Sequence, residues 1–140
     1  MESQKGTLVF VYGTLKPGGF YHDAYCGSFH FEATNAVVRG QLYHFPSLGY
    51  PGATEHPTEH IQGVLLTFHH PEKEVLSKLD VLEGYDPSRP ADANEYYRKQ
   101  VPVFEKAGQP LGYDAWCYFM EQRKVDTLNG QRLPSGLWPL

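Results

Sequence analysis

The chain has 140 residues, with 12 Lys and Arg against 16 Asp and Glu for a net charge of −4; this is room for one hydrophobic core and rules out a large multi-site enzyme. The basic residues are scattered, which disfavours nucleic acid as a partner. The longest apolar run, residues 8–12, is far shorter than the roughly 18 to 20 residues of a membrane helix, no charged-then-apolar leader precedes it, and only Cys26 and Cys117 could pair, so the expectation is a cytoplasmic protein with no membrane partner and no disulfide scaffold.

With 14 glycines, 11 prolines and 14% aromatic residues, short strands and many turns are expected. In chain order, residues 7–12 read as a strand, 20–26 as a weak helix, and 35–45 and 61–68 as strands. The 61–68 segment is apolar at both parities, with Ile61 and Leu65 on one and Val64, Leu66 and Phe68 on the other, so it is covered on both faces, inside a barrel or under packed helices. Residues 71–83 form the best helix, with Val75, Leu76, Leu79 and Leu82 at helical spacing. Pro71 suits its first turn, Gly84 a left-handed cap, and Asp86-Pro87 prevents continuation. Residues 87–94 form a polar loop. Segments 96–104 and 113–121 make an antiparallel hairpin, in which alternation lets Arg98 point inward, and 123–140 crosses the surface as a tail pinned by Trp138. The whole chain, 1–140, reads as one domain.

Three features could carry chemistry. The first strand opens into Gly13-Thr14-Leu15-Lys16-Pro17-Gly18-Gly19. Gly13 permits positive φ or close approach of a ligand, and successive amides in such a loop make an anion site; a tight turn without a ligand fits the same residues. Neither a Walker motif nor GxGxxG is present, which disfavours nucleotides. Glu83 ends an apolar-faced helix. The negative end of the dipole and apolar surroundings would raise its pKa and suit it to move protons near neutral pH, whereas a frayed helix end would leave it a solvated surface residue. Among seven histidines, His56, His60, His69 and His70 are nearest to a cluster. Pro57 and the opposed faces of His69 and His70 argue against a metal. No GxSxG elbow is present, and Cys117, between Trp116 and Tyr118, reads as packing.

Val11-Tyr12-Gly13-Thr14-Leu15, Leu79-Asp80-Val81-Leu82-Glu83-Gly84-Tyr85, Tyr96-Tyr97-Arg98 and Ala115-Trp116-Cys117-Tyr118, in this order, resemble the gamma-glutamylcyclotransferase-like family, including its gamma-glutamylamine cyclotransferases. The resemblance spans roughly residues 8–118, and Pro134-Ser135-Gly136-Leu137-Trp138 is similar to bacterial members. It implies an α+β fold: a small mixed, mainly antiparallel β-barrel flanked by helices, with a cavity at one end. It further implies that Tyr12, Gly13, Thr14 and Leu15, with Tyr118, hold a small gamma-glutamyl substrate, that Glu83 is the acid/base, and that 5-oxoproline is released without metal or organic cofactor. A non-catalytic binding or regulatory protein on the same fold is the alternative.

Overall fold

Alternation of Val9 and Val11 against Phe10 and Tyr12 lets the first strand serve two cores at once. The computed structural model describes residues 6–13, 15, 16, 22, 29–90 and 93–138. Strands β1 (Thr7–Val11), β2 (Phe31–Arg39), β5 (His60–Phe68), β6 (Tyr97–Phe104) and β7 (Pro110–Phe119) close into a barrel in the order β1-β5-β2-β6-β7. All neighbours are antiparallel except β1 and β7, whose parallel contact closes the barrel. Phe10, Val38, Ile61, Leu65, Val103, Cys117 and Phe119 belong to one core. Val9, Val11, Leu66 and Phe68, at the opposite parity, meet the helix. The expected double coverage of 61–68 follows from this division.

A second sheet was not expected. The segment read as one strand over 35–45 breaks at Gly40, whose N–H donates to the Glu59 carbonyl, and β3 (Gln41–Phe45) leaves the barrel to pair with β4 (Tyr50–Thr54) and β8 (Gln131–Leu133) in the order β4-β3-β8. The segment expected to be a surface tail also carries regular structure. It forms α2 (Gln122–Thr127), with Val125 buried, then β8 paired to β3.

Helix α1 (Glu72–Glu83) buries Val75, Leu76 and Leu79, with Leu82 packed beside them. Pro71 is its N-cap rather than a first-turn residue, and Glu72 and Glu74 face the positive end of the helix. At the other end Gly84 has φ 64°; its N–H reaches the Val81 carbonyl and that of Tyr85 the Asp80 carbonyl, a Schellman closure that makes Glu83 the terminal residue of the helix. The expected helix at 20–26 lies outside the described residues save His22. Among the described residues no helix is long and apolar enough to cross a membrane.

Candidate functional site

Where β1 ends and α1 stops, a cavity of about 160 Å³ opens, sized for a small-molecule fragment. Its walls come from four places: Tyr12, Gly13 and Leu15 after β1, Tyr50 and Pro51 at the start of β4, Leu82 and Glu83 at the end of α1, and Glu95, Tyr96 and Tyr118 from the hairpin and its approach. The cavity therefore gathers Tyr12, Gly13, Leu15, Tyr118 and Glu83, five of the six residues singled out in the sequence. The sixth, Thr14, lies outside the described residues.

Much of this wall is pinned by its own hydrogen bonds. The Tyr12 hydroxyl donates to the Tyr118 carbonyl at 2.7 Å and that of Tyr96 to the Pro51 carbonyl at 2.6 Å. Both phenols are buried and held well above their usual pKa by desolvation, so they stay protonated. The turn after Tyr12 is closed by Lys16 N–H to the Gly13 carbonyl, and the buried His22 donates from Nδ1 to the Leu15 carbonyl at 2.9 Å. From outside, the Lys16 ammonium donates to the Trp138 carbonyl at 2.8 Å, and the Trp138 indole donates to His44. Trp138 thus straps the turn.

Of the two uses expected of Gly13, positive φ or close approach of a ligand, the first is not taken, since its φ is not positive. A Cβ there would stand 2.7 Å from Pro51 Cγ and 3.0 Å from Pro51 Cδ. The absent side chain is required by the close passage of β4, a tertiary contact, rather than by turn conformation.

Glu83 has its pKa raised from 4.5 to about 8. Burial is the largest cause, followed by repulsion from Glu95 and then Asp80. The sequence reading anticipated the direction from burial and the helix end, but not the two neighbouring carboxylates. Asp80 lies one turn before Glu83 on the same helix face, the spacing that brings side chains together. Its Oδ1 accepts from the Tyr118 hydroxyl at 2.5 Å and from Arg98 Nε at 2.9 Å, and Oδ2 from Arg98 Nη2 at 3.2 Å. Arg98 also stacks over Trp116 at 4.6 Å and Tyr85 at 5.2 Å. Arg98, expected from alternation to point inward, lies instead on the helix-facing side of its strand, opposite in parity to Tyr97, Val101 and Val103, and holds the helix end against the hairpin.

Glu95 is the residue that sequence reasoning missed. Gly84 lets it approach: the Glu95 N–H donates to the Gly84 carbonyl at 3.1 Å, and a Cβ on Gly84 would lie 3.2 Å from Glu95 Cβ. The loop between them is clamped by Asn94, whose side chain bonds both the N–H and the carbonyl of Asp86 while accepting from Arg89. The Tyr50 hydroxyl donates to Glu95. No lysine, arginine or histidine lines the cavity among the described residues. The polar chemistry it presents is therefore two carboxyl groups, phenols and main chain, an arrangement suited to receiving a cation and moving a proton.

The histidines that come nearest to a cluster in the sequence lie elsewhere. His69 pairs with Glu32 and His70 with Glu74, each at 2.9 Å, and His56 Nδ1 accepts from the amides of Thr58 and Glu59. Among the described residues no three His, Cys, Asp or Glu side chains are placed to hold a metal. Cys117 is fully buried, and desolvation raises its pKa well above the usual value, which fits packing.

The family model described as gamma-glutamyl cyclotransferase, AIG2-like, matches residues 9–140. Among solved structures, the chain is similar to YkqA of Bacillus subtilis, with TM-score 0.64 at 22% identity over 96% of this chain and 40% of that one. It is also similar to c4763 of uropathogenic E. coli, with TM-score 0.63 at 14% identity over 96% and 94% of the two chains, and to an AIG2-like protein of mouse, with TM-score 0.59 at 18% identity over 85% and 78%. The chain thus spans less than half the length of the Bacillus protein. No curated protein matches it in sequence.

Proposed function

The chain belongs to the AIG2-like gamma-glutamyl cyclotransferase family, and we propose that it releases 5-oxoproline from a gamma-glutamyl amine or gamma-glutamyl amino acid, with Glu83 as the acid/base. The observation that carries this reading is the Glu83 carboxyl, placed in the wall of a cavity bordered by the turn after Tyr12 and with its pKa raised to about 8.

The substrate supplies its own nucleophile, an α-amine that arrives as an ammonium. At pH 7 about a tenth of Glu83 is ionised in the free protein, and an entering ammonium raises that fraction by favouring the carboxylate. Glu83 takes one ammonium proton; the freed nitrogen pair then attacks the γ-carbonyl carbon and closes a five-membered ring. As the bond to the departing nitrogen breaks, Glu83 returns its proton to that nitrogen. A second proton passes the same way from the ring nitrogen, so the amine leaves as an ammonium and Glu83 ends as it began. Main-chain N–H groups of Tyr12, Gly13 and Leu15 receive the substrate carboxylate or the developing oxyanion, in keeping with a wall that has no cationic side chain among the described residues. Tyr118, fixed by Asp80, and Tyr12 shape the sides that fold the substrate on itself and bring amine and carbonyl together.

The test is incubation with gamma-glutamyl amino acids, a gamma-glutamyl-lysine isopeptide and glutathione side by side, with 5-oxoproline measured. Release from at least one is expected. Binding of a gamma-glutamyl analogue with no turnover of any substrate would overturn the reading in favour of a binding protein.

A further inference from the structure

The cavity beside Glu83 adjoins a second cleft of about 420 Å³, and the two share Glu95 and Tyr96 as walls. Beyond these, the outer cleft is lined by Glu55, Arg89, Asn94 and Glu121, among others. Most of its charges are spent on one another. Glu55 holds Lys99 at 2.8 Å and accepts from Tyr97 at 2.6 Å. Glu121 holds Arg123 at 3.3 Å, and Arg89 is turned to Asn94 and the Gly84 carbonyl. Glu95 differs. It receives the Tyr50 hydroxyl and pairs with no cationic side chain among the described residues, although it stands at the junction of both clefts.

A substrate whose glutamyl part fills the inner cavity, with its scissile carbonyl near Glu83, has the outer cleft as adjoining space for what departs. There it meets one uncompensated carboxylate at the boundary. We propose that Glu95 is the specificity-determining residue of a leaving-amine subsite in this outer cleft, favouring gamma-glutamyl compounds whose leaving amine carries a second ammonium group over those with neutral or acidic leaving groups. This inference rests on the cyclotransferase reading. A second ammonium would form a charge-assisted hydrogen bond with Glu95; an aliphatic end would desolvate the carboxylate without replacing its water, and a carboxylate would be repelled.

The experiment compares gamma-glutamyl-1,5-diaminopentane with gamma-glutamyl-hexylamine, alike in length and differing at the terminal group, in the full chain and in Glu95→Gln. The wild-type protein is expected to favour the diamine about 10- to 100-fold in kcat/KM, the range of a hydrogen bond to a charged group. In Glu95→Gln the ratio is expected to fall to within about threefold. Any change that the substitution makes in Glu83 acts on both substrates and cancels in the ratio. Glu95→Asp, which keeps the charge, is expected to keep the preference and serves as the second variant should the amide not fold. A wild-type ratio near one, or a preference that survives Glu95→Gln, overturns the assignment of Glu95 while turnover of both compounds leaves the cyclotransferase reading standing. No 5-oxoproline from either compound or from the wider panel overturns that reading and this inference with it.

Discussion

Glu83→Gln separates a proton-transfer role from a structural one, because the two predict opposite changes in stability. The amide keeps the shape of the side chain but can neither accept the substrate proton nor ionise. For turnover, the expected loss is ~10³ to 10⁴-fold in kcat, the upper part of the range for a general acid–base group, since one residue serves every proton step. For stability the sign comes from linkage. The Glu83 carboxyl has a pKa of about 8 in the folded chain against 4.5 when unperturbed, so between these values the folded chain holds more protons than the unfolded one, and stability falls as pH rises. The term is absent below pH 4.5 and complete above pH 8. At pH 7 it has a ceiling of about 3 kcal/mol. Water in the open cavity screens part of that, leaving about 1 to 2 kcal/mol for the glutamine variant to gain.

The assay is thermal or denaturant unfolding of both proteins at pH 4 and pH 8, beside kinetics and calorimetry with a glutamyl analogue. Glu83→Gln is expected to match the wild type at pH 4 and to melt roughly 3 to 8 °C higher at pH 8, while still binding the analogue. A variant that loses stability at pH 8, or keeps more than about a tenth of kcat, would refute the reasoning, because a residue tying the helix to the barrel loses contacts when changed and a bystander loses nothing.

Three other outcomes are expected. The kcat/KM profile of the wild type should rise with pH up to a free-enzyme pKa near 8, and in Glu95→Gln that limb should move to lower pH because a neighbouring negative charge has gone; stopped-time 5-oxoproline assays across pH 5 to 10 check both. Gly13→Val should destabilise by about 1 to 3 kcal/mol and cut turnover sharply, since even a Cβ would stand 2.7 Å from Pro51, whereas Gly13→Ala should be milder; unfolding and kinetics on both show whether the order holds. Arg98→Leu should cost about 2 to 3 kcal/mol, because it leaves the Asp80 carboxylate, whose side chain is 14% exposed, without its cation, and the same uncompensated charge should shift the acidic limb of the wild-type profile upward.

The barrel was legible in the sequence where each strand carries its own signature. Doubly apolar 61–68 and the Gly-punctuated pair that became β6 and β7 needed no knowledge of their neighbours. The second sheet was hidden for a physical reason. Tyr50-Pro51-Gly52-Ala53-Thr54 contains the two residues least at home in a strand, and it survives because β4 lies at the edge of its sheet, where a proline need not donate to a further neighbour. β8, three residues long and mostly exposed, has no room for alternation to show.

The same division runs through the candidate site. Glu83 could be found because helix termination is local: an apolar stripe, a glycine and a following Asp-Pro define the place where a carboxylate must stop. Its neighbours could not, because each arrives by tertiary packing. Pro51 reaches Gly13 through the sheet, and Glu95 reaches the helix end only because Asn94 clamps the intervening loop to Asp86 and Gly84 has no side chain to hold it off. The resulting proximity of two acidic side chains adds to the effect of burial in bringing the Glu83 pKa to about 8. The sequence thus reveals which group can titrate, while the fold determines at what pH it does so.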